Sequence, residues 1–534
     1  MSNPTVSDAL AQELHSVGVD RVFGLPGGEV LDLIDALRRC DIEFALCRHE
    51  ANAGIMAAVY GKLKRTVGVV LTTLGPGASN LMLPIASSLL DREPLLAIAA
   101  QIPTSWPADR THQRLPLVEC FRPLTKVAGS LNALNCRTLI RSAVAAATSE
   151  PQGPAFLTLS SEDARSMAQE ADGGVRPALL NPVSLRSATE VAGELTRVIG
   201  EAQHPLIVVG LGTHPEVSDS LRRWIDDWRL PVAVTPKVKG IIDERSPSFI
   251  GVVSGMAIDA LMVEAIKASD CVVGFGLDPV EIDGSWHTEV PMTWVLESPW
   301  ATGLTPKAGL LAVDHAQLLA AMEKTPPRRW DLVFEHARRR RQTFLEDPPT
   351  LDPNPTPTSL VRTLMSAVPP ETILVTDVGS HKCLFGQFWE SRFPETFFMS
   401  NGLSGMGYGL SAAIGASLAR PTAPVLTVLG DGGFSMNSQE LETAKRLGAH
   451  FVTVVVADQS YSLIRYSQQS KGLDRYGVDF DPIDSVATAQ ACGIRAIRIE
   501  SLDMLGAPVG EAIRSGESLL IEVPLDPDSY RGVL

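Results

Sequence analysis

Long hydrophobic runs are missing from this chain of 534 residues. No uncharged stretch reaches the roughly 18 apolar residues that a membrane-spanning helix needs, so we expect no membrane span. The first residues, Met1-Ser2-Asn3-Pro4-Thr5, lack a basic segment followed by an apolar one, so we expect no signal peptide. These two absences predict a cytoplasmic protein.

Positive charge and cysteine are also in short supply. The chain has 46 Lys and Arg against 61 Asp and Glu, a net charge of −15, so we expect it to bind neither nucleic acid nor an anionic membrane surface. The seven cysteines are scattered, without Cys-x-x-Cys or zinc-type spacing. We therefore expect small buried thiols in a reducing compartment rather than disulfides or a zinc site.

What the chain does contain is a globular composition and an alternating pattern. Hydrophobic residues make up 45% and charged residues 20% of it, and its length predicts about three domains. Short apolar strands alternate with helical patterns, which predicts three doubly wound α/β domains with parallel sheets, at 1–166, 183–346 and 355–534. Polar or proline-rich linkers are expected at 166–182 and 348–357.

Apolar runs bounded by turn residues predict individual elements. A first amphipathic helix is expected at 7–17, capped by Ser7, and others at 358–367 and 438–447. The predicted strands are 42–46, 67–73, 95–100, 205–209, 232–235, 271–275, 373–376, 424–429, 451–456 and 519–523, with a further strand from 22 that runs into a glycine turn at 24–28.

The most informative pattern is a pair of carboxylates at the ends of two successive strands. Gly430-Asp431-Gly432-Gly433 follows one apolar run, and Asp458 follows the next. Because successive parallel strands end at the same crevice, the two carboxylates should meet there. They would face an oxygen-ligated cation, for which Mg²⁺ is the natural choice because it binds through one or two carboxylates plus phosphate oxygens. The alternative is a tight strand-to-helix turn without a ligand.

This spacing resembles the metal–diphosphate motif of thiamine diphosphate (ThDP) enzymes. The resemblance implies that Asp431, Asp458 and the backbone carbonyl of Ser460 bind the metal. It also implies that Gly430, Gly432 and Gly433 lie against the cofactor.

Further segments, in the family's order along nearly the whole chain, strengthen the resemblance. Arg48-His49-Glu50 resembles the segment whose Glu activates the cofactor, and Gly75-Pro76-Gly77-Ala78-Ser79-Asn80 resembles a Gly-Pro-Gly turn of the family. The segment 401–407 resembles the one that supports the thiazolium ring. There Ser404 would contact the cofactor and Met406 would hold its two rings in a bent conformation, although a Met is more often plain core.

A loop after the predicted strand 373–376 resembles the family's diphosphate-binding loop. It contains Gly379, Ser380 and His381, and exposed N–H groups at a helix start suit a phosphate. The alternative for His381 is a structural hydrogen-bonding residue. Pro26, in the glycine turn after the first strand, is a further expected cofactor contact.

Among ThDP enzymes, several segments resemble the acetolactate synthases, especially the flavin-free catabolic ones. Gln113 matches a Gln on the substrate side of that site, with a surface loop residue as the alternative. The resemblance of Asp278-Pro279-Val280-Glu281 to the flavin-free enzymes argues against a bound flavin. Gly210-Leu211-Gly212 is an incomplete dinucleotide fingerprint that we interpret as a strand-end turn. Gly27-Gly28-Glu29 departs from the Gly-Ala-Lys of the catabolic enzymes, which leaves the second substrate open.

The resemblance therefore implies a ThDP- and Mg²⁺-dependent enzyme with Glu50 and Gln113 as catalytic residues; FAD is the less favoured additional cofactor. It would decarboxylate a 2-oxo acid, first of all pyruvate, and join the fragment to a second 2-oxo acid. It would act as a homodimer or homotetramer with active sites between subunits. The alternatives are a decarboxylase or carboligase with another donor or acceptor, and a non-catalytic cofactor-binding paralogue. A serine hydrolase is excluded because no Gly-x-Ser-x-Gly elbow occurs.

Overall fold

The computed structural model describes residues 4–530 except 108, 110, 170–184, 254–259, 283–291, 298–308, 328–329, 331–333 and 347–356. Most of both predicted linkers lies outside the described residues, and the domain boundaries stay predictions. No helix within the described ranges is long and apolar enough to cross a membrane.

Parallel strands form the first sheet, and helices cover it. The strands are β1 (Arg21–Gly24), β2 (Glu43–Leu46), β3 (Gly68–Thr72), β4 (Leu95–Gln101), β5 (Val127–Leu131) and β6 (Pro154–Ser160). The helices are α1 (Val6–Ser16), α2 (Leu31–Arg39), α3 (Glu50–Lys64), α4 (Pro76–Ser79), α5 (Met82–Asp91), α6 (Leu117–Phe121), α7 (Cys136–Thr148) and α8 (Ser161–Arg165). In space the strands run β2-β1-β3-β4-β6-β5.

The second sheet, in the middle of the chain, is also parallel. Its strands are β7 (Pro205–Val209), β8 (Val232–Val234), β9 (Phe249–Val252), β10 (Cys271–Phe275), β11 (Met292–Leu296) and β12 (Leu310–Ala312). The helices of this region are α9 (Ala188–Glu201), α10 (Ser218–Trp228), α11 (Ala260–Ala268), α12 (His315–Met322) and α13 (Glu335–Glu346). The strands run β12-β11-β10-β7-β8-β9, which is the 3-2-1-4-5-6 order of doubly wound sheets read from the other edge.

The third sheet carries the predicted metal motif. Its strands are β13 (Ile373–Thr376), β14 (Phe397–Met399), β15 (Val425–Gly430), β16 (Val452–Ala457), β17 (Arg495–Arg498) and β18 (Leu519–Pro524). Its helices are α14 (Pro357–Ala367), α15 (Ser380–Phe388), α16 (Tyr408–Ala419), α17 (Asp431–Asn437), α18 (Glu440–Leu447), α19 (Ser462–Ser470), α20 (Ser485–Ala491) and α21 (Gly506–Ser515). Short 3₁₀ turns elsewhere are Gly28–Val30, Arg122–Leu124, Pro215–Val217, Pro236–Val238, Pro279–Glu281, Leu502–Met504 and Pro527–Tyr530.

The first and third sheets share one topology. The third runs β14-β13-β15-β16-β18-β17, so both sheets have the order 2-1-3-4-6-5 when their strands are numbered within the sheet. Three parallel, helix-covered sheets confirm the predicted fold class.

Helices α3 and α16 hold the first and third sheets together. A side-chain carbon on Gly415 of α16 would lie 2.6 Å from the carbonyl oxygen of Met56 on α3, so glycine permits the close approach. Buried residues of both helices, among them Met56, Val59, Leu410 and Ile414, belong to one hydrophobic core that extends into both sheets. Because α3 begins at Glu50, this core also fixes the position of a predicted catalytic residue.

Local details of the prediction need correction. The first helix spans Val6–Ser16 and its cap is Thr5, whose hydroxyl accepts from the Asp8 N–H while the Asp8 carboxylate accepts from the Thr5 N–H. The predicted cap, Ser7, is instead a buried helical residue. This reciprocal capping box wins over Ser7 because it satisfies two backbone donors at once.

Candidate functional site

The edge of the third sheet brings Asp431 and Asp458 together. Strands β15 and β16 are parallel neighbours with Gly430 opposite Val456, so both carboxylates follow the same edge. The Asp431 carboxylate accepts from its neighbour Gly432 N–H and from Gln459 N–H, each at 2.8 Å. Gln459 reaches it because its backbone turns at φ +55°. The two strand ends are therefore tied to each other through Asp431.

Asp458 is anchored by the chain that follows it. Its carboxylate accepts from the Ser460 N–H at 3.2 Å and from the Ser462 hydroxyl at 2.6 Å. The Ser460 hydroxyl donates to the Val478 carbonyl at 3.2 Å, which fixes the loop that carries the third predicted metal ligand.

Electrostatics at this edge favour a cation. Burial, followed by the charge of Asp431, raises the pKa of Asp458 to about 7, and burial also raises the pKa of Asp431. Two neighbouring buried carboxylates gain free energy when a divalent cation lies between them. No cluster of three or more His, Cys, Asp or Glu suited to a metal occurs in the described part of the chain. Two carboxylates and a carbonyl fit Mg²⁺ whose shell is completed by phosphate and water.

Unpaired polar groups face the same edge from the first turn of α15. Gly379 adopts φ +154°, and a side-chain carbon there would lie 2.8 Å from Cε1 of His381. The Ser380 hydroxyl and His381 Nε2 are buried and have no hydrogen-bond partner in the part of the chain that the structure describes. Burial lowers the pKa of His381 to about 4, so its ring is neutral at physiological pH. Buried polar atoms in native proteins normally have partners, and phosphate oxygens would supply them here.

A cavity of about 110 Å³ lies between these groups. Its described lining belongs to 378–530 throughout and includes Gly379, Ser380, His381, Met406, Gly430, Asp431, Gly432, Gly433, Asp458 and Ser460. A side-chain carbon on Gly432 would lie 2.8 Å from the Tyr461 ring and 3.5 Å from the Met406 methyl group. Ten of the predicted residues thus surround one space, with Met406 beside the glycine.

Asp377, which was not among the predicted site residues, fixes the backbone next to this cavity. It is fully buried, and its carboxylate accepts from the N–H groups of Val378, Gly407 and Tyr408 at 2.7, 3.1 and 3.2 Å. Burial raises its pKa to about 6. A side-chain carbon on Gly433 would lie 2.3 Å from Asp377 Oδ2. The position of Asp377 at a strand end before Gly379 was the available signal.

Ser404 lies apart from the lining of that cavity, beside Lys382. The buried Lys382 ammonium donates to the Ser404 hydroxyl at 2.9 Å. Burial lowers the pKa of Lys382 to about 8. Ser404 itself is exposed, with φ +55°.

A second group of predicted residues gathers in the first domain around Glu50. Asn80 donates its amide to Glu50 Oε2 at 2.9 Å, and a side-chain carbon on Gly77 would lie 3.2 Å from Oε1. Glu50 is 8% exposed. Gln113 packs against Gly75, whose added carbon would lie 3.1 Å from the Gln113 Cβ. The Gly-Pro-Gly turn therefore connects Glu50 to Gln113, although Gln113 is exposed and has φ +57°.

Pro26 and Glu29 lie in the turn after β1, next to this group. Pro26 is exposed. Glu29 accepts from the Thr73 hydroxyl at 2.8 Å. The Thr73 methyl group would be 2.9 Å from a side-chain carbon on Gly77. Glu29 is thus connected through Thr73 to the Gly77 turn that packs against Glu50.

Glu440 attaches the start of α3 to the third domain. Its carboxylate accepts from the N–H groups of Arg48 and His49 at 3.1 and 3.0 Å and from the Asn52 amide at 3.1 Å. It is fully buried. The first domain is thereby fixed on the third, yet Glu50 does not line the cavity beside Asp458.

The middle domain fills its own strand-end crevice. Glu281 is buried and accepts from the Leu211 N–H at 2.8 Å and from the Thr235 hydroxyl. Burial raises the pKa of Glu281 to about 7. A side-chain carbon on Gly210 would lie 2.5 Å from the Leu277 Cα, so this glycine is required by packing between two strand-end turns. An internal carboxylate occupies a loop N–H that a dinucleotide phosphate would need.

Comparison with known families agrees with this three-part architecture. The model of the thiamine pyrophosphate enzyme N-terminal TPP binding domain matches residues 4–117. The model of the central domain matches 193–295, and that of the C-terminal TPP binding domain matches 377–523.

Several acetolactate synthases are similar over nearly the whole chain. Acetolactate synthase of Bacillus subtilis (strain 168) is 29% identical, with 98% of this chain and 92% of the relative covered. The catabolic acetolactate synthase of Raoultella terrigena is 28% identical, over 97% and 95%. The large subunit of acetolactate synthase isozyme 2 of Escherichia coli (strain K12) is 29% identical, over 96% and 94%.

Three helix-covered parallel sheets, with polar groups converging at one edge of the third, define an α/β enzyme. The chain belongs to the thiamine diphosphate-dependent enzymes and, among them, to the acetolactate synthase-like family.

Proposed function

We propose that this enzyme decarboxylates a 2-oxo acid, pyruvate first of all, and joins the remaining fragment to a second 2-oxo acid. The observation that carries the proposal is the convergence of two carboxylates and two unpaired buried polar groups, those of Ser380 and His381, on one cavity. The named activity of the relatives supports the acetolactate synthase type of reaction. We also propose that the enzyme is cytoplasmic.

The residues of the third domain would hold the diphosphate end of the cofactor. Asp431, Asp458 and the Ser460 carbonyl would bind Mg²⁺. Gly379, Ser380 and His381 would face the phosphates, and Gly430, Gly432 and Gly433 leave room for them because they lack side chains. Ser404 and Met406 would contact the middle of the cofactor. Bound ThDP supplies a nucleophilic carbon and an electron sink.

The residues of the first domain would supply the proton chemistry. Glu50, oriented by the Asn80 amide, would hold a proton against a ring nitrogen of the cofactor as a general acid–base group. Gln113 would donate a hydrogen bond on the substrate side, and Pro26 would contact the cofactor. Since Glu50 does not line the cavity beside Asp458 in the same chain, we propose a homodimer or homotetramer with sites between subunits.

A different acceptor is the second candidate function, and one observation favours it. Glu29 places a carboxylate beside Thr73, close to the Gly77 turn against Glu50. A nearby negative charge disfavours an anionic second 2-oxo acid and favours a neutral carbonyl compound. We also propose that no flavin is required, because Glu281 occupies the Leu211 N–H.

The proposal is tested by incubating the purified enzyme with pyruvate, ThDP and Mg²⁺ and identifying the product by mass spectrometry. We expect acetolactate. Glu50→Gln should lower turnover about 100-fold or more, the usual contribution of a general acid–base group, while ThDP still raises the melting temperature. Glu190→Gln, an exposed first-turn glutamate of α9, is the matched control and should keep full activity.

Other outcomes separate the alternatives. A product from an aldehyde acceptor but not from pyruvate alone would select the second candidate. No turnover of any 2-oxo acid by a ThDP-loaded protein would overturn the proposal and leave a non-catalytic cofactor-binding protein.

A further inference from the structure

A second and larger cavity, of about 270 Å³, lies where the three domains meet. Its lining comes from the C-terminal end of α3, from the loops after β7 and β8, and from the residues around the start of β14. Among the described residues, none lines both this cavity and the cavity beside Asp458. Its volume is slightly below the roughly 300–1,000 Å³ of ordinary small-molecule pockets, so it suits a small ligand.

Most of the cations around this cavity already have carboxylate partners. Lys237 contacts Glu93 at 3.1 Å and Asp91 at 3.5 Å, and also donates to the Met399 carbonyl at 3.1 Å. The other pairs are Lys239 with Glu244, Arg92 with Asp278, and Arg65 with Glu216 and Glu395.

The carboxylates of the lining are likewise engaged. Glu216 and Glu395 contact Arg65, and Glu150 lies 3.7 Å from the His214 ring. The charges of Glu216 and Glu395 are therefore largely offset by Arg65 within the cavity wall. They do not exclude an anion from its centre.

Lys62 is the exception. It lines the cavity, but its side-chain ammonium makes no hydrogen bond or ion pair with any residue that the structure describes. Burial, and after it the charge of Lys237, lowers the pKa of Lys62, whereas the charges of Glu93, Glu395 and Asp91 raise it. The Lys62 side chain is half-buried, so its ammonium has lost part of its hydration, and a cation that loses hydration without a direct partner costs free energy. A ligand that supplied an anionic oxygen would recover it.

We propose that this cavity binds a small oxyanion, a phosphate or a carboxylate, through the Lys62 ammonium. Lysine binds such groups as a point charge with three donors. Lys62 lies on α3, whose first residue is Glu50, about 18 Å away along the helix axis at 1.5 Å per residue. Occupancy of the cavity would hold the end of this helix against the other two domains.

The test is calorimetric titration of inorganic phosphate, and separately of acetate, into the enzyme saturated with ThDP and Mg²⁺. Saturation fills the diphosphate site, so the added anion reports on the second cavity. Chloride at equal ionic strength corrects for screening. Lys62→Met should weaken binding at least about tenfold, because a charge-assisted hydrogen bond is lost. Lys64→Met is the matched control: Lys64 lies on the same helix, is exposed and pairs with Asp20 at 3.2 Å.

The two anions decide between phosphate and carboxylate as the preferred group. Lys62→Met should melt no lower than the wild type in anion-free buffer, because the substitution removes no hydrogen bond or ion pair of the ammonium with a described residue. A lower melting temperature would indicate a structural role and contradict the proposal. Absence of binding of both anions to the wild-type enzyme, or equal affinity in Lys62→Met, would overturn it; the wild-type result decides even if the variant fails to fold.

Discussion

At the scale of single residues, two carboxylates at one sheet edge make the ionised form of Asp458 unfavourable in the folded protein. Burial and the neighbouring Asp431 raise its pKa to about 7 from the ordinary 3.8. Its hydrogen bonds from Ser460 and Ser462 offset only part of that cost. The residue is therefore destabilising when ionised and unliganded, and stabilising once a cation is bound.

A pH titration of stability should show this directly. Between the unfolded pKa and about 7 the folded state keeps a proton that the unfolded chain has lost, so stability falls as pH rises through this window. One pKa unit is worth about 1.4 kcal/mol, and partial hydration reduces the total. We expect the unfolding free energy of the wild type, relative to Asp458→Asn, to fall by roughly 2 kcal/mol from pH 5 to 8.

Urea unfolding without metal measures this difference. Comparing the wild type with Asp458→Asn at each pH isolates Asp458, because the other titrating groups are common to both proteins. Mg²⁺ with ThDP should raise the wild-type melting temperature more at pH 8 than at pH 5, because the metal binds ionised carboxylates. A difference that does not change with pH would show that the Asp458 carboxylate is hydrated and has an ordinary pKa, which would contradict the prediction.

Sequence reasoning reached the residues that follow a fixed spacing and missed those that do not. Asp431 and Asp458 stand at successive strand ends, which a reader of the sequence can see. Asp377 and Asn80 act through contacts between distant segments, so their local positions, at a strand end and in the Gly-Pro-Gly segment, did not reveal their partners. Lys62 is conspicuous only because its expected partner is missing, which requires the whole structure.

At the scale of elements, the turn from β15 into α17 decides whether the cavity can form. The sequence pattern predicts one helix at 438–447 in this region. The structure has α17 at Asp431–Asn437 and α18 at Glu440–Leu447. The two glycines after Asp431 hid α17, because glycine is a poor helix former. Here they are needed because Gly432 and Gly433 face Tyr461 and Asp377.

Gly433→Ala should therefore destabilise the protein although it improves helix propensity. The alanine gains about 1 kcal/mol of propensity, but its Cβ would lie 2.3 Å from Asp377 Oδ2, and overpacking costs about 1–3 kcal/mol. The Asp377 carboxylate cannot move freely because it accepts from three N–H groups. We expect a net loss of about 1 kcal/mol or more, together with weaker ThDP binding.

Gly193→Ala is the matched control, because Gly193 lies within α9 and an added carbon meets nothing within 4 Å. It should be neutral or slightly stabilising. Urea unfolding compares the free energies of unfolding of the two variants. Equal stability would mean that the Asp377 side chain moves aside without loss of stability, which would contradict the prediction.

Seven strands were absent from the prediction: the edge strands β5, β9, β12, β14 and β17, and the interior strands β6 and β11. Among them, β12 and β14 have three residues each, which is too short to show an alternation. β5 is a largely half-buried edge strand with the sequence Val-Ala-Gly-Ser-Leu, in which only its ends are strand formers. Pairing with β6 creates it, so tertiary contacts rather than local propensity decide.

At the scale of the whole molecule, the protein contains two half-sites of complementary chemistry. The first sheet presents Glu50 with Asn80, and the third presents the carboxylate pair. The fold class and the order of these motifs were predictable, because doubly wound sheets carry their sites at strand ends. Which chain supplies which half was expected only through the resemblance, since spacing along one chain contains no information about a second copy.

Our central claim is that one active site combines Glu50 of one subunit with Asp431 of another. Co-expression of Glu50→Gln and Asp431→Ala chains, with different tags to isolate the hybrid, tests it most directly. In a two-fold dimer the hybrid contains one doubly altered site and one intact site. We predict that the isolated hybrid recovers about half of the wild-type activity on pyruvate, whereas each variant alone is inactive. A folded hybrid as inactive as its parents would contradict the claim and place both residues in a single chain's site.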